Sequence, residues 1–336
     1  MLLTRRVSSQ VLRIGRSALV ALLATAPIAL GNSGAVTPAQ ANSFPSASVS
    51  WYVTNYNTGD GHWYSLGCNL GTAALQGQVG QDLVEIFDFA SEIYNFGNGT
   101  WGTEWTDGDG IWHTWTQAQA VIDAYAHGFY VCTGSDTTAH LTIAAGIRNY
   151  GFQSSPTPST AGLAWAQLVN DFQNSLGVYA SQVSAAAAID AEPAYSSPTD
   201  AINWGNGFSG NGYKYYDYGS ANGCPPYGSC NNGWSQSSEY SMAWGIAAAW
   251  AIPEIYATTG ANATQWQQIS LWGYQNAAGP IIFSGELTQY NACLTRSCSG
   301  TNNAPITGWN QLYSAVNGDS RTWQATLLWS TDINWG

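Results

Sequence analysis

The chain has 336 residues, only 8% of which are charged, and its formal net charge at pH 7 is −12. Such an acidic surface repels phosphate groups, which excludes binding to nucleic acid or to anionic lipid as a function. Trp, Tyr and Gly are abundant, with 17, 19 and 37 residues. Uncharged polar side chains among many aromatic rings are common in exported proteins that bind neutral polar polymers. The alternative interpretation is that the aromatic residues form the protein core.

Residues 1–41 have the layout of a signal peptide. Basic residues precede a short apolar run: Arg5, Arg6, Arg13 and Arg16, then 17–30. The run is shorter than the roughly 20 residues that span a bilayer, and Ala-Gln-Ala at 39–41 predicts cleavage after Ala41. We expect a secreted protein without membrane insertion after cleavage, exported by the general route or, since Arg5 and Arg6 permit it, by the twin-arginine route. Removing this segment leaves four basic residues against twenty acids, a net charge of −16.

Six cysteines in an exported chain predict three disulfides, for which fifteen pairings exist. The cysteines are Cys68, Cys132, Cys224, Cys230, Cys293 and Cys298. Short spacings favour Cys224–Cys230 and Cys293–Cys298, which leaves Cys68 to pair with Cys132. Neither short pair has the CxxC spacing of a zinc or redox site, so we expect no metal binding and no thiol chemistry.

From residue 83 onward, strand-like runs alternate with helix-like runs. The predicted strands are 83–90, 129–133, 140–149, 184–192, 213–219, 251–257, 280–287 and 324–333. The predicted helices are 115–128, 161–180, 237–249, 263–275 and 306–316. This alternation, with seven or eight strands in about 250 residues, predicts an α/β fold, a (β/α)8 TIM barrel over 83–336 in which irregularities are allowed. Segment 42–82 is predicted as an N-terminal extension strapped onto the barrel wall.

An open, doubly wound sheet is the alternative fold. It is disfavoured because no GxGxxG motif follows the first predicted strand.

Several acids fall at the C-terminal ends of the predicted strands. They are Asp88, Asp190, Glu192, Asp217, Glu254 and Glu286. The active sites of TIM barrels lie at this end of the barrel. The acids therefore predict a shared cleft rather than a set of separate, solvated strand ends.

The stretch AAAAIDAE at 185–192 places Asp190 and Glu192 on one face of the fourth predicted strand, with Cα atoms about 6.5–7 Å apart. Two carboxyl groups this close raise each other's proton affinity, so one stays protonated near neutral pH. Cleavage of a glycosidic bond needs this division between a protonated and an ionised carboxyl. The alternative is structural, with Asp190 capping the next loop and Glu192 pairing with Arg148.

The Asp-x-Glu pattern at the end of the fourth strand, with the aspartate of IFDF ending the first, resembles secreted glycoside-hydrolase-like TIM barrels, which include the Chalaropsis-type muramidases. The phrases NYG, DAEPAY, YGSANGCP, PEIY and GELTQ are similar to strand ends of actinobacterial exported proteins of this kind, over roughly residues 80–320. The resemblance implies Glu192 as general acid, Asp190 as its partner and Asp88 in the same cleft. The muramidase sixth-strand aspartate has no equivalent unless Glu254 replaces it.

Ala191-Glu192-Pro193 also resembles the Asn-Glu-Pro of the clan A retaining hydrolases. That resemblance implies Glu192 as acid and Glu286, at the end of the seventh strand, as nucleophile. Ala191 stands where that family has asparagine, so a contact to the sugar is missing. The scheme with Asp190 and Glu192 therefore ranks first.

Further candidates for substrate binding lie near the strand ends: Asp217, Glu254, Trp105, Trp112, Tyr216 and Asn149. The tryptophans of the loop after the first predicted strand, 101–115, form either a wall that stacks on sugars or a small core beneath the loop. No GxSxG or HExxH motif is present, and TDGDGIW (106–112) lacks the register of a calcium loop. We therefore expect no serine hydrolase, no metal and no cofactor.

The predicted function is hydrolysis of glycosidic bonds in a carbohydrate polymer, either a cell-wall glycan or another polysaccharide. A barrel that binds glycans without cleaving them is the alternative.

Overall fold

Eight parallel strands form a nearly closed barrel in the computed structural model, which describes residues 43–54, 59–106, 111–134, 136–150, 156–225 and 228–336. The predicted signal peptide lies outside the described residues. In chain order the strands are β1 (Ser48–Tyr52), β2 (Asp82–Asn95), β3 (Thr100–Glu104), β4 (Trp112–Thr114), β5 (His140–Arg148), β6 (Val183–Asp190), β7 (Tyr215–Asp217), β8 (Ala249–Ala251), β9 (Gly285–Thr288) and β10 (Trp329–Trp335).

The strand order confirms the predicted (β/α)8 barrel. Parallel neighbours run β1-β2-β5-β6-β7-β8 on one side of β1 and β10-β9 on the other. The remaining gap, between β8 and β9, is spanned by two isolated parallel bridges, Ala251 to Phe283 and Glu254 to Leu287. The antiparallel pair β3 and β4 extends β2 beyond the barrel.

Helices lie between the strands: α1 (Asp60–Leu75), α2 (Trp115–Cys132), α3 (Pro158–Ser175), α4 (Pro198–Phe208), α5 (Gln236–Tyr240), α6 (Ala261–Asn276), α7 (Tyr290–Arg296) and α8 (Pro305–Asn317). Local sequence explains several of their starts. Thr114 and Gln117 form a capping box at α2, and Thr157 followed by Pro158 starts α3. Among the described residues, no helix is both long and apolar enough to cross a bilayer.

Two barrel strands differ from the prediction, and the differences cancel in the count of barrel strands. The predicted strand 129–133 is wrong, because it is the end of α2, where Phe129 continues the buried face of Val121, Ile122 and Tyr125. Segment 42–82, predicted as an extension, instead supplies the first barrel strand, β1, and its helix α1. As a result β6 is still the fourth barrel strand, whereas Asp88 lies on the second.

Small side chains fill part of the barrel interior. Ala144, Ala186 and Ala188 face inward with larger residues such as Ile86 and Leu287. The larger core lies between the strands and the helices. Since side chains alternate along a strand, the next inward residue after Ala188 is Asp190. The run of alanines thus ends where the polar mouth of the barrel begins.

The three predicted disulfides are confirmed as Cys68–Cys132, Cys224–Cys230 and Cys293–Cys298. The first joins α1 to α2, two helices that pack very closely. A Cβ atom added to Gly128 would lie 2.0 Å from the carbonyl oxygen of Tyr64. Only glycine therefore permits this helix crossing.

We expect Gly128→Ala to lower the free energy of unfolding by about 3 kcal/mol, because the two helix backbones must separate to admit the methyl group. Denaturation in urea at a fixed pH measures this change. Gly61→Ala, in α1, is the matched control, since an added Cβ there meets nothing within 4 Å. Equal stability of Gly128→Ala and the wild type would contradict the close crossing of α1 and α2.

Candidate active site

The C-terminal ends of the barrel strands surround a cavity of about 620 Å³. Four of the predicted acids line it: Asp88, Asp190, Glu192 and Glu254. They come from β2, from the end of β6 and from the segment after β8. The structure thus brings into one cavity acids that are far apart in the sequence.

Three of these carboxyl groups form a cluster. Carboxylate oxygens of Asp190, Glu192 and Glu254 lie within 4.8 Å of one another. Asp190 and Glu254 are only 7% and 6% exposed. Burial raises the pKa of both well above the usual range for carboxyl groups, and the neighbouring carboxylates raise it further. Because three carboxyls this close, two of them buried, do not all ionise at neutral pH, the cluster retains protons.

Glu192 is held in place from two sides. Its backbone N–H donates to Asn149 Oδ1 at 3.2 Å, and Asn149 Nδ2 donates to its carbonyl oxygen at 3.1 Å. Its carboxylate oxygen Oε1 accepts hydrogen bonds from the backbone N–H of Ser220, at 3.3 Å, and from the Ser220 hydroxyl. Burial raises the pKa of Glu192, while hydrogen bonds with Ser220 and Glu254 oppose that rise.

A glycine allows Ser220 to reach Glu192. A Cβ atom added to Gly219 would lie 2.4 Å from the carbonyl oxygen of Ala191. The chain after β7 therefore passes directly over the Ala191 peptide, and the next residue, Ser220, meets the carboxylate of Glu192. The sequence phrase YGSANG contains this contact, but its spacing alone did not indicate it.

Asp88 lies at an irregular point of β2. Its Oδ1 accepts a 2.6 Å hydrogen bond from the backbone N–H of Ala90, a residue with a φ of 59°, and the pairing with β5 shifts register here. A positive φ in a residue other than glycine is strained, and such strain concentrates at functional sites. Burial raises the pKa of Asp88 to about 6, opposed by the Ala90 N–H and by the charge of Arg148.

Two predicted acids lie outside the cavity. Leu287 faces the barrel interior, so the preceding residue, Glu286, points outward beneath α8, where Ser330 Oγ donates to its Oε1 at 2.5 Å. Asp217 likewise points outward between two inward tyrosines and accepts a 3.2 Å hydrogen bond from the Gly219 N–H. Burial raises the pKa of Asp217 to about 7. The structure therefore does not assemble the pair of Glu192 and Glu286.

The remaining predicted binding residues are not in the cavity either. Trp105 is buried and stacks on His113, with ring centroids 3.8 Å apart, and Trp112 is half-buried in the same hairpin region. Tyr216 packs inside the barrel against Trp329. Asn149 is fully buried and uses its amide on the backbone of Glu192. Of the two interpretations of the tryptophan loop, the positions of Trp105 and Trp112 favour a small core.

Other aromatic residues take the place of the expected wall. Tyr52, at the end of β1, stacks on Trp335, at the end of β10, with ring centroids 4.6 Å apart. The guanidinium carbon of Arg296 lies 3.5 Å from the centroid of the Trp335 ring. All three residues line the cavity. Sequence reasoning missed Tyr52 because β1 was not recognised as a strand, although the alternation in SVSWY is a strand signal. It missed Trp335 because the predicted last strand ended at residue 333, two residues before the end of β10.

The acidic cluster also has the donor type that binds hard cations. Three carboxylate oxygens could contribute to a calcium or magnesium site. Glu239 likewise lies near Cys224 and Cys230, but those two sulfur atoms are joined in a disulfide and do not act as ligands.

The geometry is compatible with acid–base chemistry on a polar substrate held between carboxyls and aromatic rings. A scan against protein-family models finds no matching family, and a search of curated proteins finds no relative, so any functional assignment rests on the site itself.

Proposed function

We propose that this protein is an exported hydrolase of glycosidic bonds in a polysaccharide or cell-wall glycan, with Glu192 as general acid and Asp190 as its partner. The observation that carries this proposal is the cluster of Asp190, Glu192 and Glu254 in one cavity at the C-terminal end of the barrel. A glycosidase needs one protonated carboxyl and a second, ionised carboxyl beside the scissile bond. A cluster that retains protons supplies both states.

In this mechanism Glu192 gives its proton to the leaving oxygen. Ser220 donates both of its hydrogen bonds to Oε1 of Glu192, so Oε2 is the oxygen that carries the proton. As the glycosidic bond breaks, positive charge develops on the sugar ring, and the ionised carboxyl of the cluster stabilises it. Asp190, the inward residue before Glu192, is proposed for this role, and the developing positive charge lowers its raised pKa so that it is ionised as the bond breaks. A water molecule then adds its oxygen to the anomeric carbon and gives up a proton, which restores the protonated carboxyl of Glu192.

The walls of the cavity suit a sugar chain. Uncharged amides line it, namely Asn222, Asn262, Gln265 and Gln289. An amide side chain both donates hydrogen bonds to sugar hydroxyls and accepts hydrogen bonds from them. The ring pair of Tyr52 and Trp335 offers an apolar surface to a sugar face. Export is supported by the three disulfides, which are typical of oxidising compartments, and by the predicted signal peptide.

The test is the release of reducing ends from a panel of purified glycans, including peptidoglycan, by the wild type and by two variants. We expect Glu192→Gln to cleave every glycan that the wild type cleaves about a thousandfold more slowly. Glu286→Gln should retain activity, because Glu286 lies outside the cavity. If Glu192→Gln cleaved as fast as the wild type, the proposed role would be wrong. Saturable binding of a glycan without any release would instead favour a non-catalytic, glycan-binding barrel.

A further inference from the structure

The cavity holds more carboxyl groups than glycosidic cleavage requires. Four carboxyl groups line it, whereas a glycosidase uses two. The basic residues that line it are Arg148 and Arg296. Arg148 Nε donates to Ser91 Oγ at 3.1 Å, and Arg296 stacks on Trp335. Among the described residues, neither arginine forms an ion pair with a carboxylate of the cavity.

The three-carboxyl cluster is the part of the cavity that lacks a counter-charge. The charged groups acting on Asp190 and Glu254 are other carboxylates, all of which raise the pKa. Oδ1 of Asp190 is shielded from solvent and has no hydrogen-bond partner in the described part of the chain. Unit charges about 4 Å apart repel by roughly 4 kcal/mol near a protein surface. A cation that entered the cavity would remove this cost.

We propose that the substrate supplies that cation, and that the cavity recognises a polymer of amino sugars with free ammonium groups, such as glucosamine or galactosamine units. This inference rests on the proposed glycosidase function and names its substrate class. Asp190 and Glu192 act on the bond, while Glu254 and Asp88 accept the ammonium groups of the bound sugars. An ammonium group donates three hydrogen bonds, which suits a site lined with carboxylate oxygens.

The shape of the cavity favours a sugar chain over a metal ion as the source of the charge. A cavity of about 620 Å³ has the size of a site for a ligand of several rings. The stacked rings of Tyr52 and Trp335 offer no ligand to a metal ion. Calcium takes six to eight oxygen ligands, of which the cluster supplies three carboxylates.

The test is calorimetric binding of tetrasaccharides to the Glu192→Gln protein, which prevents cleavage during the measurement. The probes are β-1,4-linked glucosamine and α-1,4-linked galactosamine tetramers, each compared with its fully N-acetylated form. We expect at least one amino tetramer to bind about tenfold more tightly than its acetylated form, and this preference to shrink as sodium chloride is raised. Equal or weaker binding of both amino tetramers would overturn the proposal.

Control variants separate the cavity from the general acidity of the protein. In the Glu192→Gln background, adding Glu254→Gln or Asp88→Asn should abolish most of the preference, and these two variants check each other if one folds poorly. Adding Asp82→Asn, which removes an exposed carboxylate at the N-terminal start of β2, should leave the preference intact. If Asp82→Asn abolished the preference as fully as Glu254→Gln does, the preference would come from the overall negative charge of the protein. That result would overturn the proposal.

Two further results distinguish this inference from its alternatives. If the preference disappeared on addition of EDTA, the carboxyl cluster would be a metal-binding site, and the inference would be overturned. Reducing-end release by the wild type is measured separately on the same tetramers. Binding of amino tetramers without any cleavage, there or on the wider glycan panel, would leave the recognition standing and remove the proposed hydrolysis. Cleavage of neutral glycans alone, without a preference for the amino tetramers, would support the proposed hydrolysis and overturn the proposed recognition of amino sugars.

Discussion

The Glu192→Gln variant is expected to cleave natural glycans about a thousandfold more slowly than the wild type, yet to keep most of its activity on aryl glycosides with acidic phenols as leaving groups. A sugar hydroxyl leaves only after it is protonated, whereas an acidic phenol leaves as an anion. Loss of the general acid therefore slows only the first kind of substrate. Steady-state rates on a series of phenyl glycosides of the sugar released in the glycan screen measure this difference.

The variant is suited to this test because glutamine preserves the contacts of Glu192. Its side-chain oxygen still accepts from Ser220, and the backbone bonds to Asn149 are unchanged. Urea denaturation should therefore give a midpoint close to that of the wild type. A large loss of stability would show that the carboxylate has a structural role, contrary to this reasoning.

Glu254→Gln is the informative comparison. Carboxylate oxygens of Glu192 and Glu254 lie within 4.8 Å of each other in one cavity, so the two groups titrate as a pair. If Glu192 is the acid, Glu254→Gln lowers the rate on both kinds of leaving group by the same factor. The opposite pattern, with Glu254→Gln rescued by acidic leaving groups and Glu192→Gln not, would assign the acid to Glu254.

Sequence alone predicted the centre of this site, because the relevant signal is local. The alternation in AAAAIDAE fixes Asp190 and Glu192 on one face, whatever the rest of the barrel does. The same reasoning failed for Glu286, which also lies on a strand after apolar residues. There the inward position belongs to Leu287, and the pairing of β9 with β10, not the sequence of β9, sets which residues face the barrel.

The edges of the cavity could not be predicted because they depend on barrel closure. Tyr52 and Trp335 are far apart in the sequence and meet only when β1 pairs with β10. The strand β1 was missed because its inward residues are serines. Ser48 Oγ donates to the carbonyl oxygen of Val84, and Ser50 Oγ is bonded to Thr331 Oγ1 at 2.8 Å. An apolar pattern identifies a strand only where its inner face packs against apolar neighbours.

A second group of buried acids, outside the cavity, has a consequence for stability. Glu85, Glu92, Asp217, Glu239 and Glu286 are almost completely buried in the described structure. The ion pairs among the described residues, His140 with Asp82 and Arg321 with Asp319, do not involve them. A buried carboxylate without a cation is costly, whereas its protonated form is not.

The sign of the resulting pH dependence follows from the direction of these shifts. Burial raises the pKa of Glu85 to about 8 and that of Asp217 to about 7, while in the unfolded chain such groups titrate near 4. Between these values the folded state binds more protons than the unfolded state, so stability falls as the pH rises. The stabilisation is complete below about pH 4 and is lost by about pH 8.

We therefore expect the free energy of unfolding to decrease from pH 4.5 to pH 8, by on the order of 5 kcal/mol for Glu85 and Asp217 together. Urea denaturation at several pH values, with the disulfides intact, measures this slope. Many proteins are instead most stable between about pH 5 and pH 8, because their carboxylates are paired with cations. A midpoint that rose towards pH 8 would contradict the assignment of these acids as neutral in the folded state.

Single substitutions locate the effect. Glu85→Gln resembles the protonated side chain beneath α1 and α2, so it should flatten the slope and raise the stability at pH 8 relative to the wild type. Asp82→Asn, three residues away on the same strand and exposed, should leave the slope unchanged. The two variants differ in burial while removing the same charge. The difference between their slopes of unfolding free energy against pH therefore measures the free energy needed to ionise a buried carboxyl group that has no cation beside it.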